Sequence, residues 1–185
     1  MHQELLELAL RYGKPLEPVV TLGDNSYLAV ASPRIAEVCL VLRRPGDTFL
    51  TMTKGFYPQG LYRLPTGGME TGEMVSEALE REIWEELGLE ATIKRFLAHI
   101  TYQHNQGRLF HSYCFLIEAE GEPSPQDHAE QISGFSSANA EGLLGIARQL
   151  EALQEQESEY LKASWSDWGK FRAVVHRTVA QALRG

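Results

Sequence analysis

Glu82, Glu85 and Glu86 stand at i, i+3 and i+4, the spacing that raises side chains from one side of a helix. Carboxylates gathered this way do not all stay ionised in isolation; they need cations or shifted pKa values. Hard oxygen ligands of this kind suit Mg²⁺ or Mn²⁺. The stretch from Leu64 to Glu90 carries eight acidic side chains in 27 residues. Like charges at neighbouring helical positions repel by roughly 0.2–0.5 kcal/mol per pair. A solvated acidic face with internal pairing is the plain alternative, because Arg81 stands four residues from both Glu77 and Glu85.

The order of residues separates the two readings. The chain runs Gly67, five residues, Glu73, seven residues, then Arg81-Glu82-Ile83-Trp84-Glu85-Glu86-Leu87-Gly88-Leu89. This resembles the Nudix box of the Nudix hydrolase family, G-x5-E-x7-R-E-U-x-E-E-x-G-U with U aliphatic. Every fixed residue matches, and Ile83 and Leu89 fill the aliphatic places. A chance match at one start position is on the order of 10⁻⁸ to 10⁻⁹ from average residue frequencies.

The resemblance implies an α/β/α sandwich with a mixed sheet and the box as loop, helix and loop beside it. It implies metal binding by Glu82, Glu85 and Glu86, joined by the Gly67 carbonyl. Glu73 and Arg81 match a pair that orients those carboxylates, which requires Glu73 to sit at the turn into the helix. The implied reaction is Mg²⁺-dependent, with Mn²⁺ as a substitute. It cleaves a phosphoanhydride in a nucleoside-diphosphate-linked small molecule, with metal-activated water and a glutamate base. Glu130, in "DHAEQISGFSS", is the candidate base or further ligand, against a surface glutamate in a polar loop. Glu118, Glu120 and Glu122 are runners-up. Glu70, Glu77, Glu80 and Glu90 read as solvated. Thr66 replaces the glycine that often precedes the motif glycine, which changes the φ/ψ demands of the turn.

Substrate contacts are less specific. Lys54, Arg63 and Arg108 are candidates for phosphate oxygens. Phe56, Tyr57 and Tyr62 offer rings for a base, or anchor their own loop. His99, His104 and His111 lack metal spacing. The subfamily marks expected after the box are missing, so the box specifies chemistry better than substrate. The competing class is a catalytically silent nucleotide-sensing module of the same fold. Intact Glu82, Glu85 and Glu86 stand against it.

The elements that must position these residues follow from periodicity. The chain has 185 residues, 43% of them apolar, enough for one core without disulfides. We expect one domain over 1–185, with an N-terminal extension over 1–34, a core over 35–150 and a last helix over 158–184. Residues 3–12 have helical spacing, closed by Gly13. "EPVVTLGDNSYLAVAS" reads as two short strands around a turn. "AEVCLVLRR" and "TFLTMTK" read as a hairpin, and "GFYPQGLYRLPTGG" as loop. A helix is expected over 73–87, two strands around "HNQG", and a polar helix over 140–156. Trp165 and Trp168 fall on the apolar stripe of the last helix and read as core. Cys39 and Cys114 sit in strand runs as small buried hydrophobes. The terminal extensions either complete this core or form a homodimer.

The net charge of −8 argues against DNA or RNA partners, which call for basic surfaces. It leaves a small nucleotide-like diphosphate open, because a divalent cation inverts the local field. No run reaches the length of a membrane span, and a cytoplasmic protein is the default expectation.

Overall fold

The computed structural model describes residues 2–30 and 34–185. Strand β2, Ala36–Arg44, is buried over its first seven residues, as a continuous apolar run on a two-sided sheet demands. It pairs in parallel with β6, Leu109–Ala119. β6 pairs antiparallel with β5, Ala91–His104. β5 in turn takes β1, Val19–Gly23, in parallel at the sheet edge. On the other side of β2 come β3, Thr48–Lys54, and β7, Ile132–Ala138, both joined antiparallel. The mixed-sheet order is β1-β5-β6-β2-β3-β7.

The sheet splits where the box begins. β2 and β3 pair only at Arg43↔Phe49 and Arg44↔Thr48. Into the opening goes β4, Thr66–Gly68, which pairs with Glu37, Val38 and Cys39 of β2. The residues before β4 stitch both lips together: Leu40 N–H donates to Pro65 O, and Met52 and Arg63 exchange backbone hydrogen bonds. The expected loop therefore holds one short strand.

Helices cover both faces. On one, α3, Val75–Glu82, and α1, His2–Tyr12, pack Val75, Leu79 and Leu8 against Val38, Leu40 and Phe115. On the other, α5, Trp165–Ala182, packs Phe171, Val175 and Val179 against Val41, Tyr102 and Cys114, with Leu143 of α4, Ala140–Glu151. The terminal helices thus contribute to this domain's own core. Cys39 and Cys114 are buried free thiols.

Four boundaries differ from expectation. "SYLAV" is a short helix, α2 (Ser26–Val30), not a strand, and residues 31–33 lie outside the described residues. Asn25 Oδ1 accepts from Leu28 N–H at 2.9 Å, the bond of a helix cap. The helix over 140–156 ends at Glu151. The last helix starts at Trp165, because 157–164 folds into a small hairpin of β8, Glu157–Ser158, and β9, Ala163–Ser164. Ser164 Oγ then caps α5 by accepting from Asp167 N–H. The box helix is regular only over Val75–Glu82 and continues as a π-helical turn, Ile83–Leu87.

α5 also fixes the box entry. His176 Nε2 accepts from Leu64 N–H at 3.0 Å, and Nδ1 lies 2.8 Å from Arg172 O. Since the Leu64 N–H can only donate and the Arg172 carbonyl can only accept, the ring is the neutral Nδ1–H tautomer. Burial pushes its pKa down to about 4, below the unfolded value. The unfolded chain therefore takes up the proton first, and stability falls as pH drops from about 6.5 through about 4. Melting temperatures across that range should show this slope in the wild type and a flatter one in His176→Asn.

Candidate active site

A cavity of about 1050 Å³ opens over the split sheet. It is lined by Gly67, Glu73, Arg81, Glu82, Glu85 and Glu130, and by Lys54, Phe56, Tyr57 and Arg63. Tyr62, Arg108, Glu118, Glu120 and Glu122 do not line it. Glu118 instead pairs with Arg43 and Lys94, and Glu122 with Arg44. Arg108 donates to the Ala29 carbonyl.

Three of the box carboxylates, Glu73, Glu82 and Glu85, are held by one guanidinium. Arg81 Nε and Nη2 donate to the two oxygens of Glu73, at 2.8 and 2.9 Å. Its Nη1 donates to Glu82 at 2.7 Å and Glu85 at 2.9 Å, and Nη2 also reaches Gly68 O. Glu73 precedes α3 at the turn, where its other contact is Glu70 N–H. Hydrogen bonding from Arg81 lowers the Glu73 pKa. Glu77 accepts from Met74 N–H at 2.9 Å, so it tethers the helix start rather than standing only in solvent.

Glu82 and Glu86 are turned inward. Burial raises Glu82 to about 7, against the opposing pull of Arg81. Glu86 is wholly buried, and neither carboxylate oxygen has a hydrogen-bond partner among the described residues. Burial raises it to about 8, with Arg63 and Lys54 opposing. Two orphaned buried acceptors beside another acidic group fit a divalent cation, since hard cations take carboxylate oxygens. Among the described residues, no three acidic, His or Cys side chains already stand in a ligating arrangement. Glu82 and Glu85 face Arg81, and Glu130 faces Lys54.

Gly67 makes room for Glu82. A Cβ on Gly67 would fall 1.6 Å from Glu82 Cδ, far inside any contact distance. Gly67→Ala should therefore displace Glu82 and lower activity by at least about 100-fold. Kinetics, with a melting curve to confirm folding, would check this.

The π-helical turn explains how Glu130 arrives. A helix end leaves carbonyls unpaired. Glu85 O accepts from Gln126 and Asp127 N–H, and Leu87 O from Ser124 N–H. Gly88, at φ 61°, lets this loop approach, because a Cβ there would meet Ser124 O at 2.2 Å. The docked loop ends in a short 3₁₀ turn, His128–Glu130, whose Glu130 carboxylate pairs with Lys54.

Sequence reasoning missed several lining residues: Tyr27, Arg34, Leu161 and Arg172. It placed Trp168 in the core, where it is, but Trp168 also lines the cavity. Arg172 had a usable signal, a charge four residues beyond Trp168 on an apolar stripe. Arg63, expected at phosphate, is buried and donates to Tyr57 Oη, Leu64 O and Thr66 Oγ1.

The comparisons with known proteins agree with the box. A family model described as NUDIX domain matches residues 33–161. The chain is 30% identical over 112 residues to the NAD-capped RNA hydrolase NudC of Chromobacterium violaceum, across 58% of this chain and 40% of that protein. It thus spans well under half of that relative's length. It is 28% identical over 112 residues to the phosphatase NudJ of Escherichia coli K12, across 60% of this chain and 72% of that one. In fold it is similar to the E. coli ORF135 protein, with TM-score 0.50, 24% identity and 60% and 77% of the two chains covered. A Nitrosomonas europaea NUDIX hydrolase gives TM-score 0.50 at 13% identity, over 75% and 90% of the chains. Such structures show the fold alone. With a complete box on this fold and the family model matched over more than half its length, the chain belongs to the Nudix hydrolase family.

Proposed function

We propose that this chain is a Mg²⁺-dependent pyrophosphohydrolase that cleaves a phosphoanhydride in a nucleoside-diphosphate-linked small molecule. Mn²⁺ is a substitute. The observation that carries it is Glu86, sealed from solvent with both carboxylate oxygens unpartnered among the described residues. Such a group costs several times an ordinary hydrogen bond unless a cation satisfies it. The chain's similarity to an NAD-capped RNA hydrolase and to a phosphatase supports hydrolysis at phosphate.

Glu82, Glu85 and Glu86 would hold the metal, with the Gly67 carbonyl. The metal supplies charge neutralisation of the diphosphate and a more acidic water. Arg81 orients Glu82 and Glu85 through its fork and keeps Glu73 at the helix entry. Glu130 takes the proton from the attacking water, and Lys54 beside it offsets the negative charge of carboxylate and phosphate. Arg63 braces Tyr57 and Thr66, which both line the cavity. The domain reading, one unit with flanking helices folded onto the core, is part of this proposal. So is a cytoplasmic setting.

Calorimetric titration with Mn²⁺ tests the metal site without turnover. Binding should be lost in Glu86→Gln. A wild type that takes up no divalent ion sinks the proposal.

A further inference from the structure

The hairpin of β5 and β6 brings together two histidines that the box does not use. In register, His99 faces Tyr113 and Thr101 faces His111, so the two imidazoles are diagonal neighbours on one face of the sheet. His99 Nε2 lies 3.2 Å from His111 Nδ1, and Thr101 Oγ1 lies 3.3 Å from that same Nδ1. His111 also lines the cavity, so the pair stands at its edge. The two are 12 positions apart in the chain, a separation that only the hairpin closes.

The surroundings set the chemistry of the pair. Glu17 Oε1 stands 4.0 Å from His99 Nδ1, the other nitrogen of that ring. A carboxylate there favours the proton on Nδ1 and leaves the Nε2 lone pair directed at His111. The His99 ring packs on Tyr113, with centres 4.8 Å apart, which holds its plane. Burial lowers the pKa of both histidines. Near neutral pH both rings are therefore uncharged, and each keeps one lone pair.

Two neutral imidazoles at this distance match a shared metal ion. With Zn–N of about 2.1 Å, two nitrogens on one tetrahedral ion lie about 3.4 Å apart. Imidazole suits Zn²⁺, Ni²⁺ and Cu²⁺, whereas Mg²⁺ prefers oxygen. Glu17 takes the place that a carboxylate commonly fills behind a metal-bound imidazole. The pair thus differs in kind from the carboxylate patch of the box. A plain hydrogen bond between the rings is the alternative, and metal uptake separates the two.

We propose that His99 and His111 form a binding site for a nitrogen-preferring divalent ion such as Zn²⁺, with Thr101 and Glu17 in support. The ion pins β5 to β6 at the cavity edge. This site does not depend on the pyrophosphohydrolase function. Calorimetric titration with Zn²⁺ tests it, on the wild type with Mg²⁺ in excess and on Glu86→Gln, which disables the box. Zn²⁺ should bind to both proteins. In the Glu86→Gln background, His99→Asn and His111→Asn should each weaken that binding at least about tenfold, and Glu17→Gln, at an exposed position, about tenfold. Nitrogen NMR of the wild-type imidazoles keeps the test decisive if a histidine variant does not fold: the His99 and His111 resonances should move with Zn²⁺. Absence of Zn²⁺ uptake, uptake that both histidine substitutions leave unchanged, or ring resonances that stay in place overturns the site and leaves the pair hydrogen-bonded only.

Discussion

Glu86→Gln is expected to lower turnover at least about 100-fold while raising the melting temperature of the metal-free protein. The two effects have one cause. Glu86 is fully buried with two unpartnered oxygens, so its charge is a cost until a cation arrives. Its folded pKa, about 8, lies above the unfolded carboxylate value. Folding the metal-free chain near neutral pH therefore takes up a proton, and stability declines as pH rises from about 4.5 through about 8. Glutamine removes that uptake. Its gain at pH 8 should be about 1–3 kcal/mol, or roughly 3–10 °C. Melting curves in chelator at pH 5 and pH 8 check it: the gap between variant and wild type should widen with pH. A variant less stable at both pH values would mean that Glu86 has a partner in the folded protein.

Arg172→Met should produce the largest loss of stability. Arg172 Nη1 donates to both oxygens of Glu37, at 2.8 and 2.6 Å, and both residues are buried. Methionine leaves Glu37 with Ser112 Oγ as its remaining side-chain donor. Breaking a buried pair from one side costs about 3–5 kcal/mol, here roughly 6–20 °C in melting temperature. Replacing both partners, Glu37→Leu with Arg172→Met, should recover most of that loss, because no charge is then stranded. Calorimetric melts of the single and double variants measure the difference. A single variant within about 1 kcal/mol of wild type would deny the pair its structural part.

The uneven legibility of the sequence has a physical basis. Box residues lie within one helix and its entry, so their spacing alone brings Glu73 to Arg81 and Arg81 to Glu82 and Glu85. Strand β2 declared itself by a continuous apolar run. The Tyr27 and Arg172 part of the cavity lining was not legible, because these residues are 145 apart and meet only where α2 packs on α5. The π-helical turn was hidden for a related reason. The α and π forms share the same local side chains, and here the widened turn accompanies a loop docked on the Glu85 and Leu87 carbonyls. Glu130 was readable as a candidate, but its contact with Lys54 depends on that docking. α2 was misread because Val, Leu and Ala fit a short strand as well as a helix. The Asn25 cap decided between them.

Hydrolysis of a panel of nucleoside diphosphate-linked compounds is the decisive measurement, with phosphate counted after phosphatase coupling. It is run with Mg²⁺ and again with chelator, on wild type, Glu85→Gln and Glu86→Gln. At least one compound should be cleaved by the wild type with Mg²⁺, none with chelator, and both variants should fall at least about 100-fold. No cleavage of any compound, or cleavage that survives both substitutions, would contradict a metal-assisted hydrolysis built on the box.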